Sequence, residues 1–387
     1  MKVLIVHNYY QIPGGEDTVV AYEKKLLEEH GHEVFLYTRH NMELKQFSKG
    51  QKLLLPFSTI FNTKTYREVK EIVQKKQIEI VHVHNTLNLV SPSVYYAAFH
   101  CKVPVVQTIH NFRLLCPGAT FFRDGHICEE CLKNGLLCAV KYKCYRNSRI
   151  QTLACVISTW LHRMLGTYKK LNYICLTEFN KEKLLHLKQI KEEKVFVKPN
   201  FVEAAKEIIP EKDRKDQFIY VGRLEEIKGV DILLKAWKLL GKDAPQLLIC
   251  GTGPMEDWCK KYIQENALQK VKMLGFVPND QVKNIIGESK ALILPTQVYE
   301  GFPMTIAEAY SVGTPVIGSD LGNTGSLIVE GKSGRKFLFN SPEALAETVD
   351  QFEKEKFEFE KEFADKYSSE ANYQQLRKIY ETCCNPD

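Results

Sequence analysis

Short runs of β-branched and aromatic residues alternate along this chain with longer stretches whose apolar positions recur at helical spacing. In the first half the runs are KVLIVHN, EVFLYT, IEIVHVHN, PVVQTIHN, YICLT and VFVKPN. Amphipathic segments over roughly 16–30 and near 65–75, and the segment PSVYYAAFH, separate them. The second half repeats the rhythm with QFIYVGR, VDILLKAWKLL, QLLICGTG, a helix near 254–266, VKMLGF, ALILPT, a helix starting near Met304, and PVIGSD. Strands that are apolar on both faces belong to parallel sheets covered by helices on each side. The pattern therefore predicts an α/β protein of two doubly wound domains. A break near Pro199 to Pro210, where VFVKPN gives way to the charged EKDRKDQ, divides it into residues 1–200 and 201–366. Residues 367–387 read as a closing helix after a Ser cap that packs back on the first domain. Ligands of open α/β sheets bind beyond the carboxyl ends of the strands, so two facing units predict a site in the cleft between them.

Composition adds exclusions. With 387 residues, 44% apolar and 26% charged, the chain is neither disordered nor fibrous. No apolar run reaches the roughly 18 to 20 residues of a membrane span. The opening MKVLIVHNYYQIPGGED is too short and too quickly acidic for a signal peptide, so the expected location is cytoplasmic. Twelve Cys in a long cytoplasmic chain point to buried thiols, metal ligands or redox chemistry rather than a disulfide framework.

The net charge of +6 is uneven: residues 1–200 carry 29 basic against 17 acidic side chains, and residues 201–387 carry 24 against 30. From Cys131 to Thr177 there is no acid, while Lys133, Lys141, Lys143, Arg146, Arg149, Arg163, Lys169 and Lys170 are present. Within that stretch a helix over about 150–170 places Ile150, Leu153, Ile157, Trp160, Leu161, Met164, Leu165 and Tyr168 on one stripe. Such a helix is either an ordinary core helix with a solvated basic face or a surface lying on anionic lipid at the inner face of the cell membrane. No nucleic-acid signature accompanies the basic charge.

Three features of the second half suit a phosphorylated ligand. Arg223 and Lys228, in GRLEEIKG just past a strand, can neutralise a diphosphate. Gly251 lies in the Gly-rich turn ICGTGP. In YEGFPMTIAEAYSVGTPVIGSD, Glu300 ends a loop and Gly301, Phe302 and Pro303 turn into a helix whose N-terminal Met304 and Thr305 offer free N–H groups to an anion. Glu308 is read on the first turn of that helix, eight residues after Glu300.

The E-x7-E spacing, preceded in order by GRLEEIKG and GTGP, resembles the retaining glycosyltransferases of family 4, which have the GT-B fold. The resemblance runs over nearly the whole chain and is strongest from 217 to 330. It implies a nucleotide-sugar donor held mainly by the second domain and a glycan acceptor, lipid-linked in surface polysaccharide assembly, held mainly by the first. By that likeness Arg223 and Lys228 bind the diphosphate, Glu300 the sugar hydroxyls and Glu308 the ribose. Phe302 to Thr305 lend backbone donors, and the Val277 backbone faces the base. Gly14 and Gly15 match the glycine-rich loop after the first strand, and His110 matches the active-site histidine. His82 and His84 are structural or line the acceptor. No catalytic metal is implied.

After His110 the chain departs from the minimal family pattern with a cysteine-rich insert over about 112–149. Cys128 and Cys131 have C-x2-C spacing, and Cys116 and Cys144 flank them at zinc-ribbon distances, so these four are the expected ligands of a structural zinc with Cys138 spare. An iron–sulfur cluster and plain thiols are the alternatives. For the whole chain, the alternatives to a glycosyltransferase are a GT-B nucleotide-sugar epimerase and a zinc-bearing polyanion-binding module.

Overall fold

The computed structural model describes every residue except 12–13, 204–207, 356, 358 and 386–387. The chain forms two compact units. One comprises Met1–Arg123, Cys128–Pro199 and Asn372–Asp387, the other Asp124–Ile127 and Asn200–Ala371.

The first unit holds a six-stranded sheet of β1 (Lys2–Tyr9), β2 (Glu33–His40), β3 (Ile80–Val83), β4 (Val105–Ile109), β5 (Asn172–Cys175) and β6 (Val195–Val197), in the order β2-β1-β3-β4-β5-β6. Every neighbouring pair is parallel. Val3, Leu4, Ile5 and Val6 are all buried, as expected of a strand covered on both faces. The strand-linking helices include α1 (Gly15–Glu29) and α2 (Lys49–Ile60). The latter was invisible in the pattern because its apolar residues face outward and Pro56 stands inside it. After β4 come the cysteine-rich insert and α3 (Arg149–Met164).

The second unit repeats the design with β7 (Lys215–Val221), β8 (Gln246–Cys250), β9 (Val271–Gly275), β10 (Ser289–Leu294), β11 (Val316–Ser319) and β12 (Gly334–Phe337), ordered β9-β8-β7-β10-β11-β12 and all parallel. Its core has two layers. Trp237 of α4 (Val230–Leu240) packs with Phe218, Leu345 and Phe352, while Ile306 and Tyr310 of α5 (Met304–Ser311) pack with Ile219, Leu292 and Tyr367. The closing helix α6 (Ser369–Cys384) buries Tyr373, Leu376, Ile379 and Tyr380, and from Asn372 onward it belongs to the first unit.

Candidate active site

In the second unit the predicted donor residues gather at the carboxyl ends of the central strands. Beyond β7, Gly222 leads to Arg223, whose half-exposed guanidinium pairs with Glu225 at 2.6 Å. Lys228 ends a single 3-10 turn, and the next residue, Gly229, holds φ at +72°. A Cβ there would lie 1.8 Å from the Pro295 carbonyl oxygen, so only glycine lets this loop pack on the end of β10. That contact sets Lys228 Nζ 2.7 Å from Glu300 Oε1, which also accepts from Thr296 Oγ1 at 2.9 Å. Gly251, at φ +142°, would place a Cβ 1.9 Å from the Gly222 carbonyl oxygen, so the Gly-rich turn after β8 lies directly against the Arg223 loop.

Asn323 was not found from the sequence. Its Nδ2 donates to the carbonyl oxygens of Glu300 at 2.5 Å and Gly301 at 2.9 Å and so fixes the loop ahead of α5. No local signal marks this role, because the bond joins segments 22 residues apart. Pro303 precedes α5 and supplies no side-chain cap, which leaves the N–H groups of Met304 and Thr305 without one. Phe302 packs edge-on to Tyr367 and Val277 lies against the core, so both support the loop ends through their side chains. Glu308 is the fifth residue of α5 and stands one turn in, not on the first turn. Burial raises its pKa, opposed by Lys283. A cavity of about 1070 Å3 elsewhere in this unit, lined by Ile208, Arg214, Gly313 and Phe357, includes none of these residues.

In the first unit a buried polar chain leads to His110, which directly follows β4. His110 Nε2 lies 2.9 Å from His84 Nδ1, and the two rings stack. His84 Nε2 is 3.3 Å from Glu23 Oε1, an electrostatic contact rather than an aligned hydrogen bond. The same oxygen lies 2.8 Å from His82 Nδ1, and Lys198 Nζ approaches Glu23 Oε2 at 3.2 Å. His82 is also held by Tyr380 on α6 and by Thr108, each at 2.7 Å. Burial holds His110 well below the usual imidazole range, and the His84 charge adds to the effect. Burial likewise pushes His84 down to about 3. Both rings are therefore neutral at pH 7. One proton is shared between His84 Nδ1 and His110 Nε2.

Glu23, His82 and His84 bring their ligand atoms within 4.8 Å of one another. The Lys198 ammonium already neutralises the carboxylate, and both ring nitrogens of His82 are engaged by Tyr380 and Thr108, so this cluster is a polar network of the core rather than a cation site.

The glycine loop joins the same region, although Ile12 and Pro13 of its IPGGED motif lie outside the described residues. Asp17 Oδ2 accepts from Gly14 N at 3.1 Å while its Oδ1 lies 2.8 Å from His7 Nε2. A Cβ on Gly14 would meet nothing within 4 Å, so packing does not demand a glycine there. Gly15 begins α1. Glu16, on the first turn, accepts from Tyr10 Oη at 2.9 Å, and burial pushes its carboxyl up to about 8. Beside His110 opens a cavity of about 90 Å3 lined by His84, Asn85, Tyr95, Gln107 and Arg113, and by Thr59 of α2 and Ser158 of α3. Glu16 and Asp17 were missed because acids on the first turn of a helix are routine N-terminal chemistry, and Glu23 because its partners lie far along the chain.

Helices α2 and α3 pack side by side, with Ser158 Oγ donating to the Thr59 carbonyl at 3.5 Å and His162 Nε2 lying 3.0 Å from the Ile60 carbonyl. Both are inverted. Leu53 is 76% exposed, Phe57 69%, Ile150 74% and Trp160 54%, while Thr59, Thr152, Ser158, Thr159 and His162 face inward. The apolar stripe of α3 is thus mostly a surface rather than a core; Leu161 is half-buried, and Tyr168 lies beyond the helix and is buried.

In the insert, Cys116, Cys128, Cys131, Cys138 and Cys144 line one small cavity together with Arg123 and Glu130. Cys138, expected to be spare, therefore stands with the others. The five are cysteines outside any disulfide.

Two Rossmann-like parallel sheets, with cations and a carboxylate at the strand ends of one and a histidine at those of the other, define a protein of the GT-B fold. Glycosyltransferase Family 4 matches residues 13–206, and Glycosyl transferases group 1 matches residues 201–372. The chain belongs to glycosyltransferase family 4. It is 24% identical over 290 residues to an uncharacterized glycosyltransferase of Methanocaldococcus jannaschii, covering 70% of this chain and 65% of that one. It is 33% identical over 139 residues to a putative teichuronic acid biosynthesis glycosyltransferase of Bacillus subtilis, covering 35% and 33%. The aligned stretch is thus under two thirds of the length of each of these curated relatives. Among solved structures, a lipopolysaccharide outer core galactosyltransferase in its apo form superposes with a TM-score of 0.68 at 18% identity, over 99% of both chains. The Anabaena protein HepE in complex with UDP gives 0.66 at 15% identity, over 99% of this chain and 100% of that one.

Proposed function

We propose that this protein transfers a sugar, with retention of anomeric configuration, from a nucleotide-sugar donor to a lipid-linked glycan of surface polysaccharide assembly, while resting on the anionic inner face of the cell membrane. The observation that carries the reading is the Lys228–Glu300 contact at 2.7 Å next to the side-chain-uncapped start of α5. In this reading the contact sets an anion subsite beside a sugar-hydroxyl acceptor. The UDP held by the Anabaena neighbour supports a nucleoside diphosphate there.

In this reading the acceptor hydroxyl attacks the anomeric carbon as the nucleoside diphosphate departs through an oxocarbenium-like transition state, and the leaving phosphate takes the hydroxyl proton. Arg223, Lys228 and the α5 N–H groups stabilise the charge that develops on the phosphate. Glu300 is a poor covalent nucleophile because Lys228 and Thr296 already hold its Oε1. His110, neutral at pH 7, bonds a sugar or acceptor hydroxyl. No step requires a metal.

The inverted α2–α3 face supports the membrane reading. Its exposed apolar side chains are flanked by exposed Lys49, Lys52, Arg146, Arg149, Lys169 and Lys170, which match anionic headgroups. The cavity beside His110 reaches both helices, as a lipid-linked acceptor requires. A nucleotide-sugar epimerase would have no use for such a face. The test is a panel of nucleotide sugars read for thermal stabilisation and hydrolysis, followed by NMR of the product anomer. One donor should stabilise the protein, and Glu300→Ala and Arg223→Ala should abolish turnover. Stabilisation by none, or unchanged activity in both variants, overturns the donor site.

A further inference from the structure

The cysteine-rich insert takes no part in the transfer just described, and we propose that it is a structural zinc site held by the thiolates of Cys116, Cys128, Cys131 and Cys144. Five thiols from successive short pieces of chain, among them the helices Glu130–Asn134 and Leu137–Lys141, surround one cavity of about 10 Å3, on the scale of a single water or ion. Glycine at 118 permits part of this convergence. A Cβ there would sit 3.3 Å from the Cys144 carbonyl oxygen, 3.5 Å from Cys144 Cβ and 3.7 Å from Cys116 Sγ.

Beyond the buried Phe112, Leu115 and Phe121 at its start, the segment has little apolar order of its own. Its core is Leu136, Ala139 and Val156, with Cys131, Val140 and Cys144 packed against it. Against that small apolar set stand Ala119, Phe121, Asp124, Lys143, Arg146 and Asn147, all in the left-handed backbone region that non-glycine residues adopt only where the surroundings impose it. A metal that joins four points of the chain supplies the missing constraint.

Charge points the same way. Four thiols bind zinc by releasing four protons to solvent with no change of oxidation state, and the centre then carries two negative charges. Arg123 lines the cavity, with Glu130 beside it at 3.6 Å. Arg163 of α3 is close enough to Cys131 to interact with it electrostatically; its Nη2 donates to the Leu114 carbonyl, while its buried Nε makes no hydrogen bond. Among the described residues only Glu23, His82 and His84 bring three ligand atoms within 4.8 Å of one another, so the cysteine side chains must turn about χ1 into the cavity to close the site. Cys128 is the fourth ligand in preference to Cys138, because its C-x2-C spacing with Cys131 allows both to bind one ion.

Elemental analysis of the full chain, purified with reductant and no added metal, should find one zinc per chain. A mercurial reagent should release it, and cobalt exchanged into the site should show the intense charge-transfer band of thiolate ligation. Cys116→Ser, Cys128→Ser, Cys131→Ser and Cys144→Ser should each lose the zinc, while Cys138→Ser and the distant Cys384→Ser keep it. Should a ligand variant fail to fold, the cobalt spectrum of the wild-type chain decides the thiolate count. Folded protein without zinc, iron with acid-labile sulfide, disulfides among these cysteines, or loss of zinc on Cys138→Ser with retention in Cys128→Ser would each overturn the assignment. None of these readouts depends on sugar transfer, so the zinc site and the proposed activity can fail separately.

Discussion

Removing the carboxylate of Glu23 should destabilise the first unit more than removing its cationic partner. Glu23 and Lys198 are each 1% exposed and stand 3.2 Å apart. In Glu23→Gln the buried ammonium keeps neutral acceptors alone, the new amide oxygen and the Asn372 side-chain oxygen at 3.0 Å. Leaving one charge of a buried pair uncompensated costs about 3 to 5 kcal/mol. In Lys198→Met the carboxylate still has the imidazoles of His82 and His84 at 2.8 and 3.3 Å. That change should cost about 2 kcal/mol, the range of one hydrogen bond to a charged group. The double variant strands neither charge and should fall short of the summed losses by about 3 kcal/mol.

Two units need not unfold as one, so the assay is amide hydrogen exchange read at β3 and β4, which carry His82 and Thr108. A loss of about 4 kcal/mol appears there as roughly a thousandfold fall in protection. The pH dependence follows from Glu23. Burial acts to raise its pKa, but Lys198 and His82 prevail and hold it well below the usual carboxylate value. A depressed folded pKa gives stability that is complete above the ordinary carboxylate range and is lost as pH falls through the folded value. The coupling should therefore be full at pH 7 and shrink only in strong acid. Single losses that add within about 0.5 kcal/mol would show that the two side chains act independently and would refute the reasoning.

Glu300→Gln should lower kcat about a hundredfold while the protein still melts normally, since Thr296 and Lys228 can both remain near the amide; equal loss of kcat and of fold would remove Glu300 from the chemistry. Trp160→Ser and Phe57→Ser should each weaken binding to vesicles containing anionic lipid by at least about tenfold in a sedimentation assay, and unchanged binding would assign the α2–α3 face to another partner. Glu16 has a folded pKa raised to about 8, so its native carboxyl holds a proton that the unfolded chain releases near 4.5. Stability is lost as pH rises between those values, and Glu16→Gln should gain nothing below pH 4.5 and about 3 kcal/mol by pH 7, read as the difference in melting temperature across pH.

Most of the sheet architecture was legible because a strand covered on both faces has a continuous apolar run, and each half carries such runs. The donor residues were legible for a related reason: GRLEEIKG, GTGP and EGFPMT are local segments, and each side chain's role follows from its place after a strand or ahead of a helix. Asn323 and Glu23 were hidden because their roles lie in contacts with residues far along the chain. Glu308 was placed a turn too early because the helix start depends on Pro303 rather than on the spacing of the two acids. Helix α2 was missed because the pattern treats an apolar residue as a buried one, and Leu53, Leu54 and Phe57 face the other way.

The acid-free stretch from Cys131 to Thr177 acquires two separate reasons once its residues are placed. Its first part surrounds the thiols, where the lining acid Glu130 is already paired with Arg123, further carboxylates would oppose the negative charge of a bound tetrathiolate centre, and Arg163 approaches Cys131. Its second part is α3 and the turn after it, whose apolar side chains and flanking lysines face outward, and where an acid would be repelled by anionic lipid. Arg163 belongs to both, since it stands on the helix and its guanidinium reaches back to the insert and to the Leu114 carbonyl. The insert and the inverted helix are thus joined through a buried cation, and the same α3 contributes Cys155, Ser158 and Thr159 to the cavity beside His110. A metal that orders the insert would fix the helix that lines that cavity.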